Sequence, residues 1–140
     1  MIRVVSIGTD RNMFKPGSAA RARMIEYGRL FDELHIIVFA KKGLQLQTQK
    51  ISDRVTVYPT QSRTRWHYVF DALSIGRIVL KDTQGKWVIS SQDPFETGLV
   101  GARLARRFGL PLQVQVHTDF LSPHFKTQSL LNRIRVRIAR

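Results

Sequence analysis

The sequence contains no cysteine, no long hydrophobic run and few acidic residues. The lack of cysteine excludes disulfide frameworks and cysteine-ligated zinc or iron–sulfur sites, and it fits a reducing compartment. The longest apolar runs, such as HIIVFA, fall far short of the ~20 residues that span a bilayer. The N-terminus MIRVVSIGTD has too few apolar residues for a signal peptide. We therefore expect a cytoplasmic protein that does not cross a membrane.

Positive charge is abundant. Lysine and arginine total 23 against 10 acids, which gives a formal charge of +13. Such a surface attracts polyanions, whether nucleic acid, anionic lipid or phosphorylated small molecules, and charge alone does not choose among them. The length of 140 residues and the hydrophobic content of 43% predict one domain that needs no disulfide or structural metal to fold.

Short apolar segments alternate with helical patterns along the chain. Strands are predicted at residues 2–7, 34–40, 55–59, 87–91 and 111–117. Helices are predicted at residues 18–31, with Ser18 as N-cap, at 65–81, from Asp93 to a C-cap at Gly109, and from Ser129 onward. Largely apolar strands that alternate with helices predict a Rossmann-like α/β domain, a parallel sheet of about five strands with helices on both faces.

Two of these helices carry more specific expectations. Residues 65–81 have apolar residues on two opposite sides, which favours a well-buried helix. One side consists of Trp66, Phe70, Leu73 and Leu80, and the other of Ile75 and Val79. In the run DPFE, Asp93 would cap a helix that has proline at its first position and an acid at its third. We expect that helix to begin immediately after Asp93.

Polar residues follow three of the predicted strands. In parallel α/β sheets, ligands bind beyond the carboxyl ends of the strands, where the strand order reverses. The loops 9–17 and 92–96 each follow a predicted strand, and the run His117–Asp119 stands at the end of the fifth. We therefore predict that the corners around Gly17, Asp93 and His117 meet along a single edge and form a binding site.

The first of these loops suits an anion. Gly17 stands directly before a helix N-terminus, where a backbone can approach a phosphate closely. Arg21 and Arg23 lie in the first turns of that helix, where the helix dipole disfavours cations. A bound phosphate would remove this conflict, but both arginines pointing into water explains them equally well. The loop lacks the glycine pattern of dinucleotide-binding folds, so no nicotinamide or flavin cofactor is expected.

The polar run at the end of the fifth strand leaves several roles open. His117 could be a general base, a hydrogen-bond donor to a hydroxyl, or a strand-end histidine bonded to a nearby carbonyl. Asp119 is better suited to capping a loop than to catalysis, and Asp93 is better suited to capping its helix than to binding a ligand. The four histidines lack metal-ligand spacing, so no metal site is expected.

The C-terminal segment has an amphipathic pattern. Its apolar side consists of Leu130, Leu131, Ile134 and Ile138, and its basic side of Arg133, Arg137 and Arg140. A basic amphipathic helix suits a membrane surface, while a helix that packs on its own sheet gives the same pattern.

Three segments together resemble a known family. They are SIGTDRNMFKPGSAARARMIEYGRLFDELHIIVF, VISSQDPFETGLVGARLARRFGLP and LQVQVHTDFLSPHF. They resemble the N-terminal, acceptor-side domain of retaining GT-B glycosyltransferases of the glycosyltransferase-4-like type, and the likeness covers almost the whole chain. The QDPFETG loop and the VQVHTDF strand end carry most weight.

The resemblance implies one half of a GT-B enzyme that moves a sugar from a nucleotide-sugar donor to a hydroxyl acceptor with retention, typically without a metal. It implies that Gly17 lies near the donor diphosphate and that His117 faces the reacting sugars. Asp93, Thr118 and Asp119 match positions near the cleft. Many such enzymes use acceptors at the inner face of a membrane, where a basic domain with Arg133, Arg137 and Arg140 would dock peripherally.

The family's C-terminal donor-binding domain has no counterpart in these 140 residues. We therefore interpret the chain as a truncated half and expect it to be inactive alone, because half a cleft cannot exclude water or stabilise a transition state. A separately encoded donor domain is the alternative. The rival function is a non-enzymatic, basic nucleic-acid-binding module, although the arginines are scattered and no recognition motif is visible.

Overall fold

The computed structural model describes residues 2–81 and 85–115. The strands in these ranges are β1 (Ile2–Gly8), β2 (Glu33–Val38), β3 (Gln49–Lys50), β4 (Val55–Pro59), β5 (Lys86–Ser91) and β6 (Leu112–Val114). The α-helices are α1 (Ala19–Gly28), α2 (Tyr68–Val79) and α3 (Glu96–Phe108). Short 3-10 turns occupy Arg11–Phe14, Lys42–Leu44 and Arg65–His67. None of the helices in these ranges has the length and apolar content needed to cross a bilayer.

The strands form one sheet of six, in the order β3-β4-β2-β1-β5-β6. Every neighbouring pair is parallel except β3 with β4, which is antiparallel. The chain proceeds from β1 outward to β2 and β4, and then continues on the other side of β1 with β5 and β6. The strand order therefore reverses between β1 and β5. This α/β architecture is compatible with a Rossmann-like fold.

The two faces of the sheet carry separate cores, because successive side chains of a strand point to opposite faces. Counting only the helices in the described ranges, one face carries α2 and α3 (the two-helix face) and the other carries α1 (the one-helix face). On the two-helix face, Val5 and Ile89 pack with residues of α2 and α3. On the one-helix face, Val4 and Ile36 pack with residues of α1 and with the turn Arg11–Phe14. The predicted placement of helices on both faces is thus observed in the described part of the chain.

Most predicted elements agree with the structure to within a few residues. The strand at 55–59 has the predicted bounds, and Ser18 caps α1 by accepting a hydrogen bond from the Arg21 amide at 3.2 Å. Gly109 ends α3 in the left-handed conformation, with φ of 65°. The sheet gains a strand beyond the expected five, since the short β3 forms in a polar stretch that has no clear periodicity. The predicted helix from Ser129 lies outside the described residues.

The predicted burial of the helix at 65–81 is wrong in part. Residues 65–67 form a 3-10 turn, and α2 begins at Tyr68. Leu73 and Leu80 are buried, whereas Trp66 and Phe70 are exposed. A helix that lies on one face of a sheet buries only one side, and apolar residues all round its circumference conceal which side that is.

Candidate functional site

The carboxyl edge of the sheet, where β1 ends at Gly8 and β5 ends at Ser91, is the point at which the strand order reverses. The chain leaves β1 toward α1 on one face and leaves β5 toward α3 on the other. Loops that diverge in this way open a crevice at the edge of a parallel sheet. This crevice is the candidate site.

Gln92 bridges the two strand ends at this crevice. Its backbone amide donates to the carbonyl oxygen of Ile7 at 2.9 Å, and its side-chain Oε1 accepts from the backbone amide of Thr9 at 2.7 Å. Gly8 makes this approach possible, because a Cβ at that position would lie 2.6 Å from Gln92 Oε1. The glycine at the end of β1 therefore makes room for the side chain of Gln92.

The loop after β1 is held in place by its own residues. Met13 and Phe14 are buried under the sheet, the Asp10 carboxylate accepts from the Asn12 amide at 3.0 Å, and Ser18 Oγ donates to Asn12 O at 2.6 Å. Gly17 stands at the open end of this loop with φ of +78°, and no atom lies within 4 Å of where its Cβ would be. Its backbone is therefore accessible on a fixed loop, which is the geometry expected of an anion-approaching glycine.

Arg21 lies away from the crevice. Its guanidinium Nη1 donates to Gln49 Oε1 at 3.0 Å on β3. Strands β4 and β2 separate β3 from β1 in the sheet. In this arrangement Arg21 ties α1 to the edge strand, and its predicted role at a phosphate remains a prediction.

Asp93 follows β5 at the carboxyl edge but does not cap α3 as predicted. Its Oδ1 accepts from the Phe95 amide at 2.8 Å, while its own amide donates to Thr97 Oγ1 at 3.1 Å. These bonds form a closed turn, so α3 begins at Glu96, two residues later than the sequence suggested. Gly98 allows the turn to fold back, since a Cβ there would lie 2.8 Å from Asp93 O.

Gly17 and Asp93 therefore belong to loops that leave neighbouring parallel strands at the same edge. The third predicted corner, His117 with Thr118 and Asp119, lies outside the described residues, as do Arg133, Arg137 and Arg140. Strand β6 is parallel to β5, and the Gln115 amide donates to Ser91 O at 2.9 Å. The described end of β6 thus reaches the carboxyl edge beside β5.

A trough of about 690 Å³ runs along the one-helix face below this edge. One side is apolar, with Met24 and Phe31. The floor over β1, β5 and β6 is mixed, since it has Ser6, Ser90 and Gln113 as well as apolar residues such as Val4 and Val88. Asp10, Gln92 and Gly8 line the trough where it meets the carboxyl edge. The crevice is therefore continuous with a larger concave surface of mixed polarity.

Sequence reasoning placed Gln92 within a loop but did not single it out, and it overlooked Thr9 and Asp10. The available signal was the glycine at the end of β1, which permits close contact with a neighbouring strand end. Within residues 2–81 and 85–115, no group of three histidine, aspartate or glutamate side chains is placed to hold a metal ion.

Comparisons with known proteins leave the family open. A scan against protein-family models, a search of curated proteins and a search of solved structures each gave no match. The resemblance to the glycosyltransferase-4-like domain therefore rests on the residues of this sequence, and what this chain is shown to be is an α/β domain with a six-stranded, mostly parallel sheet.

Proposed function

We propose that this chain is the acceptor-side, Rossmann-like half of a retaining GT-B glycosyltransferase. The observation that carries the proposal is the reversal of strand order between β1 and β5, with the Gly17 loop and the Asp93 loop leaving at the same edge. Ligands of parallel α/β sheets bind at this position. The resemblance supplies the substrate class, a nucleotide-sugar donor and a hydroxyl acceptor.

Each loop has a distinct role in this proposal. The accessible backbone at Gly17 approaches the donor diphosphate, assisted by the positive dipole end at the start of α1. His117 faces the reacting sugars as a hydrogen-bond partner or proton acceptor, and Thr118 and Asp119 position the acceptor. Asp93 holds the β5 loop rigid through its bonds to Phe95 and Thr97.

Catalysis requires the opposite wall of the cleft. A donor-binding domain would hold the nucleotide and close over the carboxyl edge, which excludes water and strengthens electrostatic contacts with the transition state. The proposal therefore includes a partner domain, encoded in the same reading frame or separately. In front-face retaining transfer the donor phosphate assists, so the proposal assigns no protein nucleophile to this chain.

Ligand binding can be mapped on the chain itself by amide NMR. We expect acceptor sugars or nucleotide sugars to shift the amides of residues 9–18 and 92–97, with weak affinity because these 140 residues would supply one wall of the proposed cleft. The amides of Asp32 and Lys86, at the opposite edge of the sheet, serve as the internal control. Shifts confined to that opposite edge, or no shift with any sugar or nucleotide sugar, would contradict the proposal.

Transfer should be assayed on the chain combined with its donor domain. We expect His117→Ala to lower kcat for sugar transfer at least tenfold, in line with the usual contribution of a group that handles a proton. Lys50→Ala, on the exposed edge strand, is the control and should leave transfer unchanged. Equal rates for His117→Ala and the parent would remove His117 from the chemistry, and robust transfer by the 140-residue chain alone would refute the half-site interpretation.

A further inference from the structure

The outward side of α2 carries exposed apolar residues next to the exposed Ser74 and Arg77. Trp66, in the turn that leads into α2, is 76% exposed, and Phe70 and Ile78 are 65% and 75% exposed. Phe70 and Ile78 lie within about 80° of each other around α2, with Ser74 between them, and Trp66 precedes Phe70 by about one turn. We call these three residues the apolar stripe. A helix that packs on a sheet normally turns polar residues to the solvent, so this apolar stripe calls for a partner.

The outward side of the neighbouring helix α3 is basic. Arg103, Arg106 and Arg107 are all exposed. The two helices lie side by side in close contact, because Gly76 leaves room for Leu104, whose Cδ1 would be 2.5 Å from a Cβ at position 76. Both helices cover the same face of the sheet, so the apolar stripe and the arginines point away from it in the same general direction.

Charge in this layer is strongly one-sided. Residues 65–81 and 96–108 contain six lysines and arginines and two acids. Arg77 and Lys81 are exposed near the C-terminal end of α2, close in sequence to Ile78. The layer of α2 and α3 therefore combines the apolar stripe with many cationic side chains and few acidic ones.

We propose that the outward side of α2 and α3 is a docking surface for anionic lipid. Trp66, Phe70 and Ile78 enter the boundary between headgroups and acyl chains, over a length of about 18 Å along the helix. The arginines of α3 contact lipid phosphates. Tryptophan is well suited to such a boundary, because its ring is apolar and its N–H can bond to the headgroup layer.

The shape of the surface favours lipid over nucleic acid. A single-stranded nucleic acid binds in a basic groove in which aromatic rings stack on bases. Here the aromatic residues stand on a convex helix, and Ile78 offers no ring for stacking. A bilayer accepts a convex apolar ridge directly. This inference does not depend on the proposed sugar transfer, since it uses neither the carboxyl edge nor any residue assigned to it.

Vesicle binding tests the proposal with the 140-residue chain. We expect the chain to sediment with vesicles of phosphatidylcholine and phosphatidylglycerol, and to remain in solution with vesicles of phosphatidylcholine alone. Tryptophan emission should shift to shorter wavelength on binding. The shift reports Trp66, because Trp87 is only 4% exposed and is already in the core. Trp66→Phe should abolish the shift and retain binding.

Matched variants separate the two parts of the surface. The triple change of Arg103, Arg106 and Arg107 to Gln should weaken binding on the order of a hundredfold, from about fivefold per cation near an anionic membrane. The control removes the same charge elsewhere, by changing Lys41, Lys42 and Arg63 to Gln, and should have a much smaller effect. Ile78→Ser should weaken binding severalfold, whereas Leu30→Ser, at 66% exposure beyond the end of α1, should not.

Several outcomes would overturn the proposal. Equal binding to neutral and anionic vesicles, or equal losses in the α3 triple variant and its charge-matched control, would show that this surface is not the docking site. A dimer that Ile78→Ser converts to monomer would assign the stripe to a second copy of the chain. Binding to single-stranded RNA that exceeds vesicle binding, and is lost in the same α3 variant, would assign the arginines to nucleic acid.

Discussion

The two faces of the sheet are built from the same strands but differ in polarity. In β5, Trp87, Ile89 and Ser91 point toward α2 and α3, while Val88 and Ser90 point to the one-helix face. Within the described residues, the side that carries α2 and α3 forms a buried core, and the side that carries α1 leaves a trough over β5 and β6. The comparison teaches that β5 buries the row of side chains that faces α2 and α3 and keeps polar side chains in the row that faces the trough.

Adjacent residues of β5 test this difference most strongly. Ile89 is fully buried between the sheet and the two helices, so Ile89→Ala should lower the free energy of unfolding by about 2–5 kcal/mol. Val88→Ala, on the half-exposed opposite row, should cost less than about 1 kcal/mol. Urea denaturation followed by circular dichroism measures both values. Similar losses for the two variants would show that the faces are equally packed.

The strand ends at which the two faces separate offer a second test. Gly8→Ala places a Cβ against Gln92 Oε1 and should displace the bond to the Thr9 amide, at a cost of about 1 kcal/mol. Gln92→Ala removes the same bond and opens space for the methyl group. The double variant should therefore lose less stability than the sum of the two single variants. Additive losses in denaturation experiments would mean that Gly8 and Gln92 do not act together.

Alkaline pH provides the smallest and most local test. Burial on the two-helix face raises the pKa of Tyr58 above its ordinary value of 10.0, a hydrogen bond to Thr56 opposes the shift, and the charge of Glu33 adds to it. Because the folded state holds this proton more tightly than the unfolded state, stability is intact below pH 10 and falls as pH rises toward the pKa of folded Tyr58.

Tyr58→Phe should therefore weaken the loss of stability above pH 10. It also removes the contact of the hydroxyl with His35 Nδ1 at 2.7 Å, so the comparison concerns the pH slope and not the absolute stability. Tyr27→Phe, on the one-helix face, is the control. Urea midpoints measured across the alkaline range give both slopes, and an unchanged slope in Tyr58→Phe would contradict the assignment.

The main elements of the fold follow from local sequence patterns. The apolar strands and caps such as Ser18 and Gly109 depend on neighbouring residues, so their positions could be predicted. The start of α3 could not, because Thr97 bonds the Asp93 backbone and the Asp93 carboxylate turns to the Phe95 amide. Several polar groups near Asp93 could pair with one another, and the conformation of the folded loop determines which of them do.

The candidate site was predictable in position but not in detail. Strand alternation alone indicated that the loops bearing Gly17 and Asp93 would share an edge. The contact of Gln92 with Thr9 joins residues 83 positions apart, and Arg21 finds its partner on a strand that the sequence did not clearly indicate. Long-range pairing of polar side chains leaves no periodic signal in a single sequence.

The placement of α2 and α3 on one face fixes an orientation. If those helices rest on lipid, the strands lie parallel to the bilayer, and the end of β1 opens sideways, roughly one helix diameter, or about 10 Å, above the headgroups. An acceptor anchored in that bilayer would then need a polar segment long enough to span this distance between the headgroups and the end of β1. A freely diffusing acceptor would reach the same site from the side and would need no such segment.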